Sequence, residues 1–234
     1  MKIKLLIMFL LAGIAQLSAG VVQQEFSFTE PEFSIRDGFD KVAMENLNVI
    51  TKPGYPELPV MSVQMLLPPG EEAVSVQVSY DQVETLDSSY NVYPIQKPYP
   101  TSYEGEIEFV PQNEEIYSRN AFYPEVIYSD LTTQYLRGHS IALLNISPLQ
   151  YNPQTGEILF YSNLTVTIQT QTTAASQRAF NNFYRGNEQT NQRLSKLVIN
   201  PQSISQYPAS ENTREVDDFE YIIVTTNSYL TELV

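Results

Sequence analysis

Between Glu25 and about Thr170, apolar and polar residues alternate with a period of two rather than 3.6. Phe26, Phe28, Phe33 and Ile35 are set off by polar neighbours. Val74, Val76, Val78 and Tyr80 alternate with Ser75, Gln77 and Ser79, and Leu164, Val166 and Ile168 with Thr165, Thr167 and Gln169. Successive side chains of a strand point to opposite faces, so each pattern predicts a strand buried on one face. Val60–Leu67 and Ser140–Ile146 are more continuously apolar and read as central strands.

Turn chemistry separates these runs. Lys52-Pro53-Gly54-Tyr55-Pro56 cannot lie inside an element, and Pro68-Pro69-Gly70 is a stop followed by a bend. Asn152-Pro153-Gln154-Thr155-Gly156 reads as a hairpin loop and Arg137-Gly138 as a second tight turn. Many short strands joined by Pro-rich turns predict an all-β fold, an antiparallel β-sandwich or a jelly-roll-like barrel. A stretch of about 150 residues is long enough for one such core, burying roughly 70% of the unfolded surface.

The period changes after Gln171. Ser176 is expected to N-cap a short helix carrying Ala179, Phe180 and Phe183, ended by Gly186, and a second helical turn carries Leu194 and Leu197. Pro201 to Asp218 reads as a linker. Tyr221-Ile222-Ile223-Val224 then forms a continuous apolar run of the kind buried on both faces of a parallel sheet. Asn227-Ser228 and Tyr229–Leu233 follow with N-cap chemistry and helical spacing. A lone strand and half a helix cannot bury their own apolar surface, so a truncated α/β domain that continues beyond Val234 is expected.

The opening stretch alters this picture. Lys2 and Lys4 precede an apolar run from Leu5 to Ala15, and Ser18, Ala19 and Gly20 follow as small residues. This is the layout of a signal peptide, cut after Ala19, and the run is too short to span a bilayer. The expected organisation is a signal peptide over 1–19, a β-sandwich over 20–172, a partly helical tail and linker over 173–216, and the start of a second domain over 217–234. An exported chain, extracellular or at the cell surface, follows, with no membrane span after signal removal.

Composition excludes several activities. The chain has 234 residues, 13 Lys+Arg against 27 Asp+Glu, one His, no Cys and no Trp. Loss of the signal's two lysines takes the formal net charge from −14 to −16, which argues against a nucleic-acid partner. Without cysteine there is no disulfide framework, thiolate metal site or cysteine nucleophile, and one histidine rules out a two-histidine zinc site. No cofactor is expected. His139, in Arg-Gly-His-Ser, is the one candidate base near neutrality, and no Gly-x-Ser-x-Gly elbow exists to pair with it. It is expected to be structural. Glu104, Glu106 and Glu108 alternate with Gly105 and Ile107 and read as one solvated strand face.

Three segments, taken together, resemble a known family. They are Gly54-Tyr55-Pro56-Glu57-Leu58-Pro59-Val60, Asn120-Ala121-Phe122-Tyr123-Pro124, and Arg137-Gly138 followed by Ser147-Pro148-Leu149-Gln150-Tyr151-Asn152-Pro153-Gln154-Thr155-Gly156-Glu157. Their order and spacing resemble the N-terminal propeptide of gingipain-type cysteine peptidases, family C25. Phe219–Val234 resembles the first strand and helix of the caspase-like catalytic domain of that family. The resemblance implies an inert β-sandwich that inhibits its own downstream peptidase domain and aids its folding, with the catalytic Cys and His beyond Val234.

Arginine-specific members of that family present an Arg from a propeptide loop. The matching region here, Gln96 to Glu104, contains none. Lys97 is its one basic residue, and Ser102, beside Tyr103, falls nearer the aligned position. The departure leaves two readings of an inhibitory loop, a peptidase of different specificity or inhibition by blockage alone. A plain strand connection competes with both. Arg214, in the polar segment Glu211–Glu215, is the expected activation cleavage site. An exported β-sandwich binding or adhesion module, with 16 tyrosines as contact surface, is the alternative function.

Overall fold

The computed structural model describes residues 19–209 apart from 51, 87 and 88. The expected signal segment, Arg214 and the Phe219–Val234 element lie outside the described residues.

The clearest alternation in the sequence forms the middle of a three-stranded antiparallel sheet. There β12 (Asn163–Thr172) lies between β1 (Ala19–Ser27) and β6 (Glu71–Tyr80). Leu164, Val166 and Ile168 are 1%, 0% and 0% exposed while Gln169 is exposed, so the period-two reading holds residue by residue. A second antiparallel sheet runs β4 (Asn48–Val49), β5 (Pro59–Leu66), β9 (His139–Ile146), β8 (Tyr128–Leu136). The two sheets face each other across a core built from Phe26, Leu164, Val166 and Ile168 on one side and Val63, Met65, Ala142, Leu144 and Ile146 on the other.

Both strands read as central are central, and each is buried on two faces. Leu66 and Ile141 point away from the sandwich and pack under Leu194, Val198 and Tyr207. Beyond the short α1 (Glu114–Tyr117), these come from a helical tail of α2 (Ala174–Phe183), α3 (Glu188–Leu197) and a 3-10 helix over Pro201–Gln206. This second layer is the reason β5 and β9 lack alternation.

A smaller antiparallel sheet, β10 (Leu149–Asn152), β11 (Glu157–Phe160) and β7 (Glu84–Leu86), shares a second core with the hairpin β2 (Glu32–Arg36)–β3 (Phe39–Ala43). Val42, Leu58, Val92, Leu149, Tyr151, Ile158 and Phe160 fill it. The expected turns are both present. Gly156 takes φ 71° and donates its N–H to Asn152 O at 2.9 Å. Arg137 (φ 48°) and Gly138 (φ 81°) form the two-residue β8–β9 turn, in which two consecutive positive φ values match the twist of the strands. A Cβ on Gly138 would lie 2.5 Å from Tyr184 N, so glycine is also required for the end of α2 to approach.

Several expectations are corrected. Thr173, not Ser176, is the N-cap of α2; Ser176 sits at the third helical position and completes a capping box. Gly186 does not end the helix, since the backbone turns extended at Tyr184 (φ −65°, ψ 128°). The segment from Pro201 begins as a packed 3-10 helix, with Tyr207 6% exposed, rather than as a linker. Val74 is 52% exposed because a bulge in the β6–β12 register takes it out of the alternation and leaves Ala73 and Val76 facing the core. Ile35, on β2, which pairs with β3 alone, is 74% exposed, although Phe33 on the same face stacks on Tyr90 with ring centroids 4.3 Å apart.

The tail is tied to the sandwich by polar side chains that complete the strand ends. Asn200 Nδ2 donates to Leu66 O at 2.9 Å and its Oδ1 accepts from Leu66 N–H at 2.8 Å. The Tyr207 hydroxyl donates to Leu67 O at 2.9 Å and accepts from Ser140 N–H at 3.1 Å. Removing either side chain strands two buried backbone groups, at about 1–3 kcal/mol each. Asn200→Ala and Tyr207→Phe should each lower unfolding free energy by about 2–4 kcal/mol in urea titrations, with the denaturant slope unchanged. A loss under 0.5 kcal/mol (well below the ~1 kcal/mol scale of one hydrogen bond) would show that the tail is not held this way.

Candidate functional site

The chain between Val92 and Asn113 carries the Gln96–Glu104 region. Its first limb is fixed early. Glu57 N–H bonds Tyr93 O at 2.9 Å, Ile95 N–H bonds Tyr55 O at 2.8 Å, and Gly54 N–H bonds Ile95 O at 2.8 Å. The segment leading into β5 thus pairs with residues 93–95. The returning limb is fixed to the same glycine, for Asn113 N–H donates to Gly54 O at 2.8 Å. Gly54 has φ 82°, and a Cβ there would meet Pro111 O at 3.1 Å, so the residue that ties both limbs is one that only glycine fills without strain.

Above this tie the chain leaves the body. Every residue from 97 to 109 except Tyr99 is exposed, and none belongs to a helix or strand. Three side-chain hydrogen bonds close the base. Gln96 Oε1 accepts from Val110 N–H at 2.8 Å, and Gln96 Nε2 donates to Val110 O at 3.0 Å and to Pro94 O at 2.8 Å. Phe109 packs against Phe39 and Tyr93, with ring centroids 5.9 and 6.1 Å apart, and Arg36 lies 4.8 Å over the Tyr93 ring. A cleft of ≈ 430 Å³ opens here between Arg36, Tyr93, Tyr99 and Phe109.

At the tip, Tyr103 N–H bonds Pro100 O at 2.9 Å, so Thr101 and Ser102 are the corners of a turn. The Tyr103 ring lies against Tyr99, centroids 4.7 Å apart, and the Lys97 ammonium lies 5.6 Å from the Tyr99 centroid. The three loop residues singled out by sequence therefore divide. Ser102 and Tyr103 are at the tip, and Lys97 is at the base, next to the clamp. Glu104, Glu106 and Glu108 lie on the irregular returning limb, which corrects the expected strand face. Proline at 98 and 100 removes two N–H groups from the outgoing limb, so no ladder forms there. Gln96 and Phe109, which together with Gly54 give the loop its shape, were not singled out by sequence. The Gly54 turn and the proline spacing were visible, but the partner across the loop was not.

Ala19, the expected signal cleavage position, pairs with Gln171 at the first register position of β1. Among the described residues no group of three or more His, Asp or Glu side chains converges to hold a metal ion. No described helix is long and apolar enough to cross a membrane.

The Propeptide_C25 family model matches this chain over residues 16–193. The chain belongs to the C25 peptidase propeptide family. Among solved structures, it is similar to a complex of the pro- and mature domains of RgpB from Porphyromonas gingivalis. That likeness has a TM-score of 0.53 and 19% identity, over 66% of this chain and 80% of that one. It is also similar to a structure addressing the zymogenic latency of gingipain K from the same organism, with a TM-score of 0.55 and 23% identity, over 65% and 88%. No curated protein matches it significantly. The matched residues 16–193 include the blocks around Gly54 and Leu149–Glu157 and the 97–109 loop.

His139 is not placed for catalysis. It is fully buried between Tyr184 and Tyr207, with ring centroids 5.0 and 4.4 Å away, and its Nδ1–H donates to Leu136 O at 3.1 Å. Among the described residues its Nε2 has no hydrogen-bond partner. Burial therefore pushes its pKa below the ordinary 6.5, outweighing the backbone carbonyls of Leu136 and Arg137, which act the other way. The unfolded chain protonates first as the pH falls through 6.5, so stability present above that pH is lost below it, at up to about 1.4 kcal/mol per pH unit. Urea midpoints should drop more between pH 7.5 and 5.5 for the unsubstituted chain than for His139→Phe. Equal drops would show that His139 does not contribute.

Proposed function

We propose that this chain is the inhibitory and folding-assisting prodomain of an exported gingipain-like cysteine peptidase, and that the 97–109 loop occupies the active-site cleft of its own catalytic domain. The observation that carries this reading is the loop itself, an exposed, proline-stiffened excursion closed at its base and finished by a tight turn, on a fold of propeptide type. An extended segment already ordered in its bound shape loses little entropy on docking. The chain carries no cysteine, and a covering domain needs none.

The absent arginine gives the loop a particular mode. Lys97 sits at the base, so the residues that reach furthest are Thr101, Ser102 and Tyr103. We infer that inhibition comes from filling the cleft with a neutral tip rather than from presenting a cation to a charged pocket. Export follows from the segment ending at Ala19, and activation is by cleavage after Arg214, in a polar stretch between the packed tail and the next domain.

The test uses the chain from Gly20 onward and the mature peptidase encoded in the same reading frame. Micromolar chain should slow peptide hydrolysis competitively. Replacing Ser102 and Tyr103 together by Gly should raise the inhibition constant about tenfold or more, the scale of a few lost buried contacts. Undiminished hydrolysis at micromolar chain would refute the function, and an unchanged constant for the double variant would refute the role of the tip.

A further inference from the structure

We propose that the Gln96 carboxamide is a positioning residue, holding the two limbs of the 97–109 loop together so that the Pro100–Tyr103 turn meets the peptidase cleft in one conformation. This rests on the reading of the loop as the inhibitory segment. The argument begins with what the loop lacks. Between Gln96 and Val110 no strand pairing joins the limbs, and Pro98 and Pro100 have no N–H to offer one. Among the described residues, the hydrogen bonds that join the limbs between residues 96 and 110 all come from the Gln96 side chain; nearer the body, Gln112 Nε2 donates to Asn91 Oδ1 at 2.8 Å.

Its geometry copies a strand. One amide accepts the N–H and donates to the C=O of the same residue, Val110, at 2.8 and 3.0 Å, which is the double exchange of a hydrogen-bonded antiparallel pair. The remaining amide hydrogen goes to Pro94 O at 2.8 Å and locks the side chain onto its own limb. Few residue types meet this requirement. A carboxylate would set negative charge against two carbonyl oxygens, and Asn is one methylene shorter. The aromatic packing of Phe109 on Phe39 and Tyr93 fixes the returning limb's side chain just beyond the clamp but makes no limb-to-limb hydrogen bond. With the clamp open, the loop between residues 96 and 110 must be ordered by the peptidase at the moment of binding, and that cost appears as lost affinity.

The consequence is separable from folding. Gln96 is half-buried at the edge of the second core and belongs to none of the three hydrophobic clusters. Gln96→Met keeps the side-chain length and removes the polar atoms, and Gln96→Glu keeps only the acceptor for Val110 N–H. Both should leave the thermal midpoint nearly unchanged, speed hydrogen exchange at the Val110 amide about tenfold or more with β9 amides unaffected, and raise the inhibition constant about tenfold. Because the clamp acts through the tip, Gln96→Met should weaken a chain already carrying Ser102→Gly and Tyr103→Gly by less than twofold.

Inhibition as strong as that of the unsubstituted chain, or the same loss in both backgrounds, would overturn the inference. Unchanged exchange at Val110 would also overturn it. If the unsubstituted chain itself does not slow the peptidase, the functional reading fails and the inference fails with it. A loss absent only at Gln96 leaves that reading standing.

Discussion

The structure depends on β5 being covered on both of its faces. Its inward residues Val63 and Met65 close the sandwich, and Leu66 on the outer face is sealed by Leu194, Val198 and Tyr207. A strand in that position has to have its backbone satisfied at its end as well as along its length, and Asn200 and Tyr207 do this for Leu66, Leu67 and Ser140. The segment that leads into β5 then pairs with residues 93–95, so a strand buried on both faces is continuous with the foundation of the exposed loop. Burial at one end of β5 is what allows a rigid projection at the other.

The loop illustrates how a mobile-looking composition becomes ordered. Residues 97–109 have no core of their own, and the chain there is ordered from its edges, by Gly54 between the limbs, by the Gln96 amide across them and by Phe109 on Phe39 and Tyr93. Proline at two positions lowers the entropy lost on ordering and also removes the donors that a competing strand would use. Length without pairing leaves the loop's own backbone groups open to a partner. That combination suits a segment that lies in a cleft better than one that merely joins two strands.

Much of the fold was legible in the sequence because period-two alternation has few competing explanations. β12, the central strands β5 and β9, and the turns at Arg137-Gly138 and Asn152–Gly156 all follow from local pattern; that β5 pairs with β9 does not. Where the reading failed, a non-local partner decided. Val74 fails because a bulge, invisible in one strand's sequence, belongs to the pair β6–β12. Thr173 and Ser176 both carry hydroxyls that suit a cap, and the bond from Ser176 Oγ to Gly70 O at 2.7 Å is invisible in the local sequence. Pro201–Tyr207 read as linker because its composition is polar, although Asn200 and Tyr207 bind backbone groups more than 130 residues distant. The candidate site was half legible in the same sense. Ser102 and Tyr103 stand out through the resemblance alone, and it is the bond from Tyr103 N–H to Pro100 O that puts them in the tip turn, whereas Gln96 is one polar side chain among many until Val110 is known to face it.

Inhibition by the loop requires that this surface of the propeptide meet its peptidase. Hydrogen exchange of the chain, alone and mixed with an excess of the mature peptidase of the same reading frame, addresses that directly. Slowed exchange is expected at amides 101–104 and 106–110, with β9 and β12 amides unchanged. Protection confined to another face, with amides 101–104 exchanging as fast in the mixture as alone, would contradict it.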